Sequence, residues 1–149
     1  MTKEETAHRA ALPADLARDL HARFSAGDLD GCLAMATDDI EVVVVAMGQT
    51  FRGKEEFLQF LQFFRTAFPD ISIRHEKVLS QGDHVAVEAS WNGTNSGPIV
   101  TAGATIPPTG KRVTAGRIAE FMRFRDGKLA RIVNYQDVAS WMRPLGLIA

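Results

Sequence analysis

The spacing of apolar residues divides the chain into a first part with helical period and a second part with a period of two. Leu16, Leu20 and Phe24 recur every fourth residue behind Pro13, which predicts a helix starting near that proline. Ala26-Gly27-Asp28 ends it and leaves Asp28 to cap a second short helix, with Leu29, Cys32, Leu33 and Ala36 as its stripe. Ile40–Val45 reads IEVVVV, a β-branched run that predicts a strand partly covered on both faces. A loop through Gly48 and Gly53 leads to the strongest helical pattern, Lys54–Phe68. There Phe57, Phe60, Leu61, Phe64 and Phe68 form one wide stripe, closed by Pro69.

From Ile71 the alternation predicts strands over Ile71–Leu79, His84–Trp91, Ile99–Ile106, Arg112–Phe124 and Leu129–Tyr135. Gln81-Gly82-Asp83 and Asp126-Gly127 are the hairpin turns, Asn92–Gly97 a turn or bulge, and Pro107–Gly110 a firm turn. A short helix over Val138–Leu145, capped by Asp137, closes the chain. Helices first and hairpin-linked strands later predict an α+β fold, a curved antiparallel sheet packed on three to four helices with an apolar pocket between them. Residues 1–12 read as a polar leader and 13–149 as one domain.

Composition narrows the function. The 17 Lys+Arg against 18 Asp+Glu, a net charge of -1, show no basic excess for nucleic acid. No run approaches the ~18 apolar residues of a membrane helix, and the N-terminus reads as neither a signal nor a transit peptide, so a cytoplasmic protein is expected. One cysteine, Cys32, excludes an internal disulfide. No two histidines have metal-ligand spacing near a carboxylate, and no Gly-rich phosphate loop joins a strand to a helix. Neither a metal nor a cofactor is therefore expected.

Candidate chemistry lies in the last hairpin. Glu120 interrupts the apolar face of Ile118, Met122 and Phe124. Inside a pocket, desolvation would raise its pKa and suit it to acid–base work; outside, it pairs with Arg117 or Arg123. A two-residue Asp126-Gly127 loop pairs Phe124 with Leu129 and sets Glu120 opposite Val133. A three-residue loop from Arg125 shifts parity and puts Glu120, Ile132 and Asn134 on one face. The pattern alone leaves both open. Asn134 reads either as a hydrogen-bond donor to a substrate oxygen or as a satisfied buried amide. His75 sits at an apolar phase, as a proton shuttle or as a core histidine. His8, His21 and His84 carry little signal. Trp91, Ile118, Met122, Ile132, Phe60, Phe64, Met47 and Trp141 are candidate pocket lining, and aromatics at such spacings also build cores.

The segment AGDLDGCLAMATDDIEV (26–42) resembles the opening of the cone-shaped fold shared by nuclear transport factor two, ketosteroid isomerases and scytalone dehydratase. FPDISI (68–73), WNGTNSG (91–97), PPTGKRV (107–113), FMRFRDGKLARIVNYQDV (121–138) and the terminal LG (145–146) resemble its SnoaL-like polyketide cyclase branch. The resemblance implies a cofactor-independent enzyme acting on an enolisable hydrophobic carbonyl compound by aldol cyclisation or isomerisation, and it favours the second hairpin parity. It also implies a homodimer formed through the open sheet face.

The cyclase His and Asp fall on Glu120 and Asn134, and Asn95 stands where many relatives carry His. The ketosteroid isomerase base and tyrosine fall on Val44 and near Leu20, but its acidic oxyanion residue falls on Glu120. The limonene epoxide hydrolase relay falls on Asn134 and near Thr101 and Gly103, which cannot perform it. The resemblance therefore implies Glu120 as base with Asn134 and His75 in support. The alternatives are a non-catalytic ligand-binding member that has lost the catalytic Asp, and a protein-interaction domain.

Overall fold

A computed structural model describes residues 12–149; residues 1–11 of the polar leader, His8 among them, lie outside the described residues. The first two helices form as the spacing predicts: α1 (Pro13–Ser25), with Pro13 in its first turn, and α2 (Leu29–Ala34). Asp28 caps α2 by accepting from the Gly31 N–H at 2.9 Å. Strand β1 (Ala36–Val44) follows. The glycine loop contains a short strand that the sequence pattern does not reveal, β2 (Gln49–Arg52), ahead of helix α3 (Gly53–Ala67). Next come β3 (Ser72–Gln81) and β4 (His84–Thr94). The strand expected over 99–106 is instead two short ones, β5 (Ile99–Val100) and β6 (Thr105–Ile106), joined by a turn that Thr101 closes onto Ala104. The long β7 (Arg112–Arg125) and β8 (Lys128–Asp137) precede α4 (Val138–Met142), which ends earlier than its apolar pattern.

Six strands form one sheet in the order β2-β1-β8-β7-β4-β3, with β5 and β6 paired apart from it. Every pair in the large sheet is antiparallel except β1 with β8, which run parallel. The result is the curved α+β architecture, four helices on a mixed sheet. The inner face buries Ile40, Val42, Val44, Val85, Val87, Ala89, Met122 and Phe124 in one core with Phe57, Phe60, Leu61 and Phe64 of α3. Trp91 is central: its ring centroid lies 4.9 Å from Phe68, 6.1 Å from Phe64 and 6.5 Å from Trp141. It lies across Gly116 on β7, where a Cβ would meet the indole Cε2 at 2.3 Å, so no larger residue fits without moving the ring. Among the described residues no helix is long and apolar enough to cross a membrane.

The last hairpin resolves the parity question in a way neither alternative anticipates. Asp126 (φ 53°) and Gly127 (φ 75°) form a two-residue turn with both residues left-handed, and Phe124 does pair with Leu129. The register then slips by one, because Ala130 is extra between Leu129 and Arg131, and Glu120 ends opposite Asn134. Leu129 and Ala130 are consecutive and both buried, so covering both leaves no clean alternation at this point. A bulge, not a longer loop, aligns the polar pair.

Candidate active site

Polar side chains from four elements meet beside a cavity between α1, α3 and the inner sheet face. Its walls are mostly apolar: Leu20 and Phe24 from α1, Phe57, Phe60, Leu61 and Phe64 from α3, then Ile71, Ile73, Trp91, Ile118 and Ile132. Its polar lining is His21, Glu120, Asn134 and Gln136. Its free volume is about 50 Å³. Since one water needs roughly 10–15 Å³ by this measure, the cavity has room for a few waters.

Glu120 is the hub and is 4% exposed. The inward phase of β7 buries it between Ile118 and Met122. Its Oε1 lies 2.6 Å from His21 Nε2 and its Oε2 accepts from Asn134 Nδ2 at 2.8 Å. The chain extends both ways. Gln136 Nε2 donates to Asn134 Oδ1 at 3.0 Å, and His21 Nδ1 lies 2.6 Å from His75 Nε2. His75 is half-buried on β3, outside the cavity lining, two residues along from Ile73 and just before a bulge at Glu76.

The expected rise in the Glu120 pKa is corrected. Burial does push it up and is the largest single influence. The His21 charge, the hydrogen bonds from His21 and Asn134, and a smaller effect of His75 together outweigh it. The carboxyl is held below its ordinary value and is ionised at neutral pH. His75 is pushed down to about 4, first by burial, then by the His21 charge and Arg18, with Glu120 opposing, so it is neutral there. Cys32 is buried, and burial together with Asp28 pushes its thiol up to about 11, an inert state for a nucleophile. Among the described residues no group of three or more His, Cys, Asp or Glu has an arrangement that could hold a metal ion.

Of the residues singled out in the sequence, Glu120, Asn134 and His75 belong to one hydrogen-bonded chain, and Trp91, Ile118, Ile132, Phe60 and Phe64 line the cavity. Met122 and Met47 do not line it. Met122 is 1% exposed, further along β7 in the core, and Met47 is largely exposed in the turn after β1. Trp141 is likewise core, against Phe64, Phe68 and Trp91. Asn95 is a structural knot away from the cavity. Asp137 caps α4, accepting from the Ser140 N–H.

The residue most seriously underrated is His21. A signal existed: Ala17, Leu20, His21 and Phe24 occupy i, i+3, i+4 and i+7, so a titratable ring sits inside the buried stripe of α1. The same reasoning that singled out Glu120 applies to it. Gln136 follows from Ile132 and Asn134 by the period of two.

The curved mixed sheet with helices on its inner face is the nuclear transport factor two-like, ketosteroid isomerase-like fold. More narrowly, the SnoaL-like domain model matches residues 17–132, and the chain belongs to that family. A candidate SnoaL-like polyketide cyclase from Jannaschia sp. CCS1 superposes with TM-score 0.78 at 20% identity, over 92% of this chain and 93% of that one. IdmH from Streptomyces antibioticus, a candidate polyketide cyclase, superposes with TM-score 0.75 at 26% identity, over 90% and 98%. A ketosteroid isomerase-like protein from Catenulispora acidiphila gives TM-score 0.71 at 19% identity, over 90% and 94%. No curated protein matches the sequence.

Proposed function

We propose that the protein is a cofactor-independent enzyme that removes a proton alpha to the carbonyl of a hydrophobic, enolisable compound, followed by aldol closure or isomerisation. The observation that carries this reading is Glu120: an ionised carboxylate in a mostly apolar cavity, hydrogen-bonded only by side chains. Glu120 is the general base. Already ionised, it accepts a proton with no prior step. Asn134 and Gln136 each engage one amide N–H within the chain, which leaves each a second N–H to donate to the developing enolate oxygen. The apolar walls exclude water from the charge as it moves.

The test needs no knowledge of the natural substrate. Cyclohexanone and larger cyclic ketones are incubated with the protein in D₂O, and deuterium uptake at the alpha carbon is followed by NMR. The wild type accelerates uptake, and Glu120→Gln loses about a hundredfold, the lower end of what positioned proton transfer supplies. Uptake that is equal in wild type and Glu120→Gln removes the base assignment and leaves a ligand-binding pocket.

The outer sheet face supports a second, separate proposal, a homodimer. Phe121 and Tyr135 form an exposed edge-to-face pair there, with ring centroids 6.0 Å apart. Light scattering at micromolar concentration gives a dimer mass, and Phe121→Glu with Tyr135→Glu gives a monomer. A monomeric wild type overturns it.

A further inference from the structure

We propose that His21 and His75 form a proton path joining Glu120 to solvent by a route outside the cavity lining. The inference rests on the base assignment for its purpose but on independent geometry for its existence. A cavity filled by an apolar ligand holds no water to receive the proton that Glu120 has taken. The carboxylate has one other outlet, the 2.6 Å contact from Oε1 to His21 Nε2. His21 is itself 6% exposed, and its remaining ring nitrogen lies 2.6 Å from His75 Nε2. His75 is the half-buried end of the line, and its Nδ1 has no hydrogen bond among the described residues.

The transfer balances without any co-reactant. Discharge starts from His21 with its ring proton on Nδ1 and Nε2 bare, the tautomer opposite to the one that donates to ionised Glu120. Glu120 passes its proton to His21 Nε2, the proton on His21 Nδ1 moves to His75 Nε2, and the proton on His75 Nδ1 leaves to water, so that His21 Nε2–H ends donating to the carboxylate. One proton enters at the carboxyl and one leaves at the surface, and both rings exchange tautomers. The reverse hop brings a solvent proton to Glu120 and restores them. An imidazole can relay a proton because it has two ring nitrogens, one able to accept while the other releases.

The charged and titratable groups acting on His75 are Arg18 and His21 from α1 and Glu120 from β7. Burial, His21 and Arg18 outweigh Glu120 and keep His75 neutral near pH 7, the form a hop requires, since a permanently protonated ring at the exit would block transfer. The two rings meet edge to face with centroids 4.9 Å apart, an arrangement that points each nitrogen along the line instead of stacking the faces.

The test uses the full-length protein with ¹⁵N-labelled histidine and no ligand. It measures exchange of the His21 ring N–H with water by NMR. The key variant is His75→Gln. An amide of similar reach keeps a hydrogen bond to His21 but cannot accept and release a proton at two nitrogens. The path predicts that exchange slows by about tenfold or more, under the 10²–10⁴ typical of positioned proton-transfer groups. If His75 is merely a cover, His75→Gln leaves exchange unchanged. A second variant, His75→Leu, separates the cases if the first is unstable. The path predicts slower exchange, whereas loss of a cover predicts faster exchange. Unchanged or faster exchange overturns the path and leaves the base assignment standing, because that is judged by Glu120→Gln and ketone deuteration alone.

Discussion

Asn95 and Glu120, exposed by 0% and 4%, are both polar side chains withdrawn from water, and they are satisfied differently. Asn95 is held mainly by backbone. Its Nδ2 donates to the carbonyls of Ala67 and Gly97, and its Oδ1 accepts from the Thr109 N–H and hydroxyl. It ties the end of α3 to two turns, and every partner is fixed by the fold. Glu120 is held only by His21 and Asn134, side chains from α1 and β8, beside free volume. Removing Asn95 takes a partner from backbone groups that cannot move to find another. Removing Glu120 strands only side chains that can turn. A buried polar group wired to backbone closes the structure, and one wired to side chains beside a cavity is available for chemistry.

Truncating Asn95 is expected to have the largest effect on stability. Asn95→Ala removes four hydrogen bonds from a fully buried site and leaves the Gly97 carbonyl without this donor, at about 1–3 kcal/mol per unpaired buried group, so a total of about 3 kcal/mol. Thermal unfolding should fall by roughly 6–12 °C. A melting temperature within a degree or two of wild type breaks the structural half of the comparison.

Asn134→Asp sharpens the other half. It sets a second carboxylate where Glu120 now receives an N–H at 2.8 Å. Two carboxylates at that distance share a proton, and one pKa rises. A group whose folded pKa is raised contributes stability below its unfolded pKa and loses it as pH rises. The variant should therefore lose about 1–3 kcal/mol relative to wild type between mildly acidic and neutral pH. Denaturant unfolding at the two pH values measures this. Restoring the Asp that the cyclase pattern has at this position does not recreate a free base, because Glu120 already faces it.

The smallest effect concerns acid stability. The His75 pKa is depressed from 6.5 to about 4, so the unfolded chain binds more protons in that window. Stability is full above 6.5 and declines as pH falls toward about 4. The lowered Glu120 pKa acts in the same direction further down. With His75 half-exposed, its share is below about 1 kcal/mol after solvent screening. His75→Gln should flatten the decline over that window, as followed by thermal melts across it.

Much of the fold was legible because its signals are local. The α1 spacing, the Phe stripe of α3, the β-branched run in β1 and the Asp126-Gly127 turn each act over a few residues. Short β2 and the split at 101–104 were not, since four residues and two residues carry too little periodicity to register. The site was legible one residue at a time. Glu120 stood out as a carboxylate on an apolar face. The Ala130 bulge that sets it opposite Asn134 was hidden, because two adjacent buried residues break alternation without naming the strand that slips. The lowered Glu120 pKa and the place of His21 are hidden from the sequence for one reason. Desolvation is readable from a strand pattern, but a counter-charge 99 residues away in sequence is a product of the fold.

The most direct test pairs two readouts on one variant, Glu120→Gln, prepared alongside Asn95→Ala. The account predicts that Glu120→Gln keeps a folded protein, less destabilised than Asn95→Ala, while alpha-deuteration of a cyclic ketone falls by about a hundredfold from the wild-type rate. A Glu120→Gln protein that unfolds more readily than Asn95→Ala yet, while folded, deuterates the ketone at the wild-type rate contradicts it. Glu120 would then hold the fold together, and the chemistry would have to lie elsewhere.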